Sequence, residues 1–89
     1  PCVVLSPREI NDHRRTVVVV PLTTTETPAM FPLLVHTPSI GANSKVRTEH
    51  IRAIDKSRLS GYITDIGAND LQEINRALCQ VLAIKPLSA

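Results

Sequence analysis

Residues 16–20 read T-V-V-V-V, an unbroken β-branched run that leaves the chain little choice at that point. A half-exposed strand alternates, whereas a continuous apolar run suits a strand covered on both faces, so 16–20 is expected to be the central strand of a sheet. Pro21 is expected to close it, because proline has no N–H to give to a ladder. The rest of the fold has to be arranged around that strand. With 89 residues there is room for one small domain, taken as 1–89.

Short strands are expected on either side. Residues 2–5 are apolar and strand-like, and the polar stretch 8–15 after Ser6-Pro7 reads as a loop. Threonines at 23, 24, 25 and 27, followed by Pro28, form a second loop. A strand over 31–37 carries Pro32, which places it at an edge or marks its start. Gly41 and Asn43 lie in a connection before a strand over 46–54, a tight turn follows at 55–60, and 61–66 reads as a further strand. Over 68–84, Leu71, Ile74, Leu78, Val81 and Leu82 recur on one helical face, with Gly67 or Asn69 as the cap and Pro86 preventing continuation. Five strands and one terminal helix, without repeated strand–helix alternation, define a mainly β (α+β) chain: a small β-barrel carrying a C-terminal α-helix.

Composition narrows the function classes. Hydrophobic residues make up 43%, but one Phe, one Tyr and no Trp mean that the core is aliphatic. A formal charge of +2 does not by itself imply nucleic acid, although the arginines cluster. Cys2 and Cys79 do not make a disulfide framework, and three histidines without a Cys-x-x-Cys pair do not make a zinc site; no metal or other cofactor is expected. The absence of a membrane-length apolar run and of a leader pattern suits a reduced, cytoplasmic setting. The chain opens Pro1-Cys2-Val3, already strand-like, and is expected to have lost upstream sequence.

Ionisable groups concentrate at 44–59, S-K-V-R-T-E-H-I-R-A-I-D-K-S-R-L. In a continuous strand Arg47 and Glu49 share a face about 7 Å apart, as a cation and a carboxylate serving one substrate or as an exposed ion pair contributing roughly 0–1 kcal/mol. Asp55 is expected to anchor its turn by accepting backbone donors. Turn chemistry alone accounts for the threonines. Arg8, His13, Arg14 and Arg15 are either a solvated loop or a phosphate-attracting group, and His13 and His36 have no partner in sequence. Phe31 either stacks a base or packs, and Cys79 is expected to be buried.

The segments P-C-V-V-L-S-P at 1–7, V-V-V-V-P-L-T-T at 17–24 and I-R-A-I-D-K-S-R-L at 51–59, with the terminal helix, resemble the MazF/PemK toxins, including the plasmid-borne Kid. The resemblance implies an SH3-like barrel that forms a homodimer, is held by a cognate antitoxin, and cleaves single-stranded mRNA without a metal by attack of the ribose 2′-OH on the neighbouring phosphate. It implies catalytic roles for Thr23, Arg47 and Glu49 and substrate binding by Thr24 and His50, with Phe31 as the base-stacking candidate. Relative to the family the chain is expected to be N-terminally truncated, without the first strand and without the arginine-bearing loop before Pro1. The alternative is therefore a non-catalytic module that binds antitoxin, a dimer partner or RNA. The gyrase-poisoning relative CcdB shares the barrel, but the I-D-K-S-R-L run matches the ribonuclease branch.

Overall fold

A computed structural model describes residues 1–85. Five antiparallel strands form one bent sheet: β1 (Cys2–Val4), β2 (Thr16–Thr23), β3 (Leu34–His36), β4 (Lys45–Arg47) and β5 (Arg52–Asp55). A single helical turn, α1 (Arg8–Asn11), joins the first two, and α2 (Ala68–Val81) ends the described chain. The fold is the expected mainly β sheet with a C-terminal helix, but the sheet stays open rather than closing into a complete barrel.

The valine run is central, as its composition demands. β2 pairs with β1 along one side, and with β5 and then β4 along the other. Val17, Val19 and Val20 are buried, so both faces of the strand are covered. Pro21 does not close the strand, which runs on to Thr23. Its register explains why. Leu22 donates its N–H to Pro1 at 2.9 Å and Pro21 lies opposite Cys2, so the nitrogen of Pro21 faces the other side, where β2 has left β5 and not yet joined β4. No donor is needed in that gap.

The single strand expected over 46–54 is broken by a 3-10 turn, Thr48–His50. Thr48 is fully buried, its hydroxyl donates to the Pro32 carbonyl and its N–H to the Leu33 carbonyl at 3.2 Å. A buried hydroxyl without a partner costs about 1–3 kcal/mol, and bending the chain at Thr48 satisfies it. Residues 31–37 contribute only the short β3, after a cis Phe31–Pro32 bond. The 8–15 loop contains α1, braced by the Asn11 amide donating to the Ser6 carbonyl at 2.7 Å.

Residues 61–66 form no strand. No backbone–backbone hydrogen bond reaches 60–66 among the described residues, and Tyr62 and Ile63 are 77% and 78% exposed. The segment has strand composition but no ladder neighbour, and a lone strand is not stable in water. With Val4, Val19 and Ile54 it borders an open hollow of about 1080 Å³.

α2 covers the opposite face. Ile74, Ala77 and Leu78 pack on Val3, Val20, Val35 and Val46 in one cluster, with Leu5, Leu22, Ile51 and Ile66 at its margin. The helix entry is latched by Ser39, whose N–H donates to the Asp70 carboxylate at 2.8 Å, whose hydroxyl donates to the same oxygen, and whose Oγ accepts from the Gly67 N–H at 2.9 Å. A Cβ on Gly67 would lie 2.9 Å from that of Ser39, so glycine is required by proximity. Gly67 occupies the cap position without a capping side chain.

The helix stops before Ile84, and Pro86 lies outside the described residues. Ala83 adopts φ 55°, and the Ile84 N–H reaches back to the Cys79 carbonyl at 2.8 Å, the left-handed stop usually made by glycine. An L-side chain there costs about 1 kcal/mol. Ala83→Gly is expected to raise stability by about 0.5–1 kcal/mol in urea unfolding, and a loss of stability would contradict this helix ending.

Candidate functional site

β2 ends at Thr23, which lies opposite Lys45 of β4, while Leu22 lies opposite Val46. Opposed residues of an antiparallel pair project from the same face, so Thr23 and Lys45 share one face and the core residues Leu22 and Val46 the other. Arg47, two residues beyond Lys45, returns to the face of Thr23 at the diagonal spacing of roughly 7–8 Å. β3 extends the rows, with His36 opposite Lys45 and Leu34 opposite Arg47.

The threonine loop is shaped by its own hydroxyls. Thr23 Oγ1 accepts from the Thr25 N–H at 3.3 Å, and Thr25 Oγ1 accepts from the Thr27 N–H at 3.3 Å. Having accepted, the Thr23 hydroxyl keeps its own proton to donate. Lys45 is buried, and its Nζ donates to the Thr25 carbonyl at 3.0 Å and to the Asn43 carbonyl at 3.4 Å, tying the loop to β4. Thr24 is exposed beside Thr23.

The expected pairing of Arg47 and Glu49 on one strand face is not found. Arg47 is the last residue of β4, and Glu49 lies beyond it in the exposed part of the 3-10 turn with His50. They form no ion pair; the one ion pair among the described residues is Arg76–Glu73. Phe31 is brought to the same end of the sheet because the next residue, Pro32, accepts the Thr48 hydroxyl bond. It is 38% exposed, with the Arg76 guanidinium 4.7 Å from its ring centroid. Thr23 and Arg47 are thus joined on one face by strand register, Glu49 and His50 follow on the adjoining turn, and Phe31 flanks that turn. Thr23, Arg47 and Glu49 line neither the large hollow nor the smaller cleft beside α2; Thr23 and Arg47 are half-buried and Glu49 is exposed.

Two neighbours of these residues escaped the sequence reading. Lys45 had a signal, since S-K-V-R places it two residues before Arg47 on the same strand face. Arg76 had none, because its contact with Phe31 spans 45 positions of chain, from 31 to 76. His36, partnerless in sequence, has Nε2 2.8 Å from the Ala42 carbonyl. No group of three His, Cys, Asp or Glu residues is placed to hold a metal among the described residues. No helix there is long and apolar enough to cross a membrane.

Asp55 anchors its turn as expected. Its side chain accepts from the Ser57 N–H at 2.9 Å. That bond, a second from the Ser57 hydroxyl and the nearby Lys56 charge hold the carboxyl below its usual value. At the other extreme, the Tyr62 hydroxyl donates to Asp65 at 2.8 Å, which raises its pKa above the usual tyrosine value. Because the folded state lowers the Asp55 pKa, its contribution is complete above the unfolded value of about 3.9 and is lost as pH falls through the folded value. The stability difference between the protein and Asp55→Asn is therefore expected to hold down to about pH 5 and to shrink as pH falls from there through the lowered folded value in thermal melts. A difference that grew on acidification would contradict the turn assignment.

A five-stranded antiparallel sheet sealed on one face by a returning C-terminal helix is a mainly β fold, open here but compatible with the small-barrel class. The model of the PemK-like, MazF-like toxins of type II toxin–antitoxin systems matches residues 1–82, and the chain belongs to that family. Among solved structures, it is similar to an endoribonuclease from a Mycobacterial species at 30% identity, over 97% of this chain and 83% of that one, with a TM-score of 0.84. A Mycobacterial endoribonuclease in complex with its cognate antitoxin matches at 29% identity over 97% and 82%, again with a TM-score of 0.84. A MazE–MazF structure from Deinococcus radiodurans matches at 26% identity over 96% and 86%, with a TM-score of 0.80. No curated protein sequence matches the chain significantly.

Proposed function

We propose that this toxin is an endoribonuclease that cleaves single-stranded RNA by attack of a ribose 2′-hydroxyl on the adjacent phosphate. The observation that carries the reading is the β2–β4 register, which sets Thr23 and Arg47, both half-buried, on one sheet face outside the helix-packed core. The fold-level likeness to endoribonucleases supports it.

In this reaction the 2′-oxygen forms a bond to phosphorus as the bond from phosphorus to O5′ breaks. The products are a 2′,3′-cyclic phosphate and a 5′-hydroxyl. Charge grows on the phosphoryl oxygens, where a guanidinium can donate in parallel and a hydroxyl can donate once. Arg47 and Thr23 take these parts, and Thr24 adds a donor beside them. Lys45 acts as a positioning residue, holding the threonine loop through the Thr25 carbonyl. Glu49, on the exposed turn after Arg47, accepts the 2′-hydroxyl proton, and O5′ takes up a proton from solvent. His50 contacts the backbone of the substrate. The toxin works in the cytoplasm as a homodimer, silenced by a cognate antitoxin, the kind of partner present in the Mycobacterial and Deinococcus complexes.

The test is cleavage of defined single-stranded RNAs with mapping of the new ends. Wild-type protein is expected to leave 5′-hydroxyl ends and to spare a substrate with 2′-deoxyribose at the cut position. Thr23→Val and Arg47→Ala are each expected to lower the rate about 10²-fold or more, the effect of removing one transition-state donor, with thermal unfolding unchanged in Arg47→Ala and lowered only slightly in Thr23→Val, where the Thr25 N–H loses its acceptor. Glu49→Gln is expected to lower the rate as well, and full activity in that variant would assign the proton elsewhere. RNA binding without any cleavage would instead select a binding module.

A further inference from the structure

A second feature faces solvent beside β3. A cleft of about 520 Å³ lies between that strand and α2, bordered by His36 on one side and by Asn69, Gln72, Glu73 and Arg76 on the other. Its charges are largely committed. The Glu73 carboxylate accepts from Arg76 Nε at 2.9 Å, and the Asp70 carboxylate, also on the wall, is held by Ser39. A cleft with two carboxylates and one paired cation is poorly suited to phosphate. It suits a neutral, flat, hydrogen-bonding group.

The Arg76 guanidinium supplies a platform for such a group. The Phe31 ring centroid lies 4.7 Å from it and the Glu73 carboxylate accepts from its Nε at 2.9 Å, so two contacts orient it. The side chain is nevertheless 66% exposed, which leaves surface free to receive a further ring. Unpaired bases stack on aromatic rings and on arginine planes alike. The amides of Asn69 and Gln72 border the same cleft and offer both donors and acceptors, the groups that read a base edge. The cleft opens at β3, the edge strand of the sheet that carries Thr23 and Lys45. His36, Lys45 and Thr23 stand abreast across β3, β4 and β2, so its β3 wall is two strand spacings, roughly 10 Å, from Thr23.

We propose that the cleft between β3 and α2 is a nucleobase subsite, in which one unpaired base flanking the cut stacks on the Arg76–Phe31 pair and is read by Asn69 and Gln72. The inference rests on the RNA-cleaving reading above and adds to it the place where sequence is recognised. Recognition is thereby separated from scission, with the base held against the helix and the phosphate against the end of β2.

The test uses the RNA found to be cut by the wild-type protein, made uncleavable by 2′-deoxyribose at the cut position, with 2-aminopurine placed in turn at each flanking position. One position is expected to show stacking quench on binding. Arg76→Ala is expected to abolish that quench and weaken binding about tenfold, the size of one stacked base. Arg76→Lys keeps the charge but not the plane and is expected to behave like Arg76→Ala. The double variant Asn69→Ala with Gln72→Ala, on exposed positions, is expected to relax base preference at the same position. Retention of quench, affinity and preference in Arg76→Ala would overturn the subsite while leaving cleavage intact, and full rescue by Arg76→Lys would reduce Arg76 to a point charge. A wild-type protein that neither cuts nor binds single-stranded RNA would remove both readings.

Discussion

The seating of Ile74 on Val20, Val35 and Val46 is the contact on which the rest of this small structure depends. All four side chains are buried, and together with Ala77, Leu78 and Val3 they make the interior. A core without tryptophan, whose single phenylalanine and tyrosine both lie at the surface, has only aliphatic area to bury. Each fully buried aliphatic side chain contributes roughly 1.5–3 kcal/mol, so the helix provides a large part of what opposes chain entropy. Without it one face of the sheet would be wet.

That dependence reaches the site through the Ser39 latch. The Asp70 carboxylate and the Gly67 N–H fix Ser39, and the turn that begins there returns the chain to β4. β4 in turn carries Lys45 and Arg47 opposite the end of β2 and the start of β3. The helix therefore supports the proposed phosphate-binding face from behind, packing against the Thr48–His50 turn and β3. The same helix presents Arg76 and Glu73 on its outer side, which gives one element both a packing and a recognition surface.

Much of this was legible in the sequence, and the failures have physical causes. The central strand followed from four valines, and α2 from Leu71, Ile74 and Leu78 at helical spacing, because both signals are local. Asp55 was legible for the same reason, since an Asx turn is made within three residues. The break at Thr48 was not, because its cause is the Pro32 carbonyl, sixteen positions away. Alternation therefore gave Arg47 the wrong companion: the residue sharing its face is Lys45, while Glu49 sits on a turn. Pro21 misled because a proline stops a strand only where its nitrogen faces a neighbour, and here it faces a gap. Residues 61–66 have strand letters, but composition specifies an ability to pair and not the presence of a partner.

The charge distribution explains why recognition must be local. A formal charge of +2 gives little of the long-range attraction that drives sequence-independent binding to a polyanion. Several of the cations are also committed internally, with Lys45 on the Thr25 carbonyl, Lys56 on the Asn11 carbonyl and Arg76 on Glu73. Affinity then has to come from a few placed contacts, and an open strand end with a hydroxyl and a guanidinium can hold a phosphate but cannot distinguish one base from another. A separate flat, amide-lined surface within reach of that phosphate supplies the missing discrimination, and the Arg76–Phe31 pair is where the fold provides one.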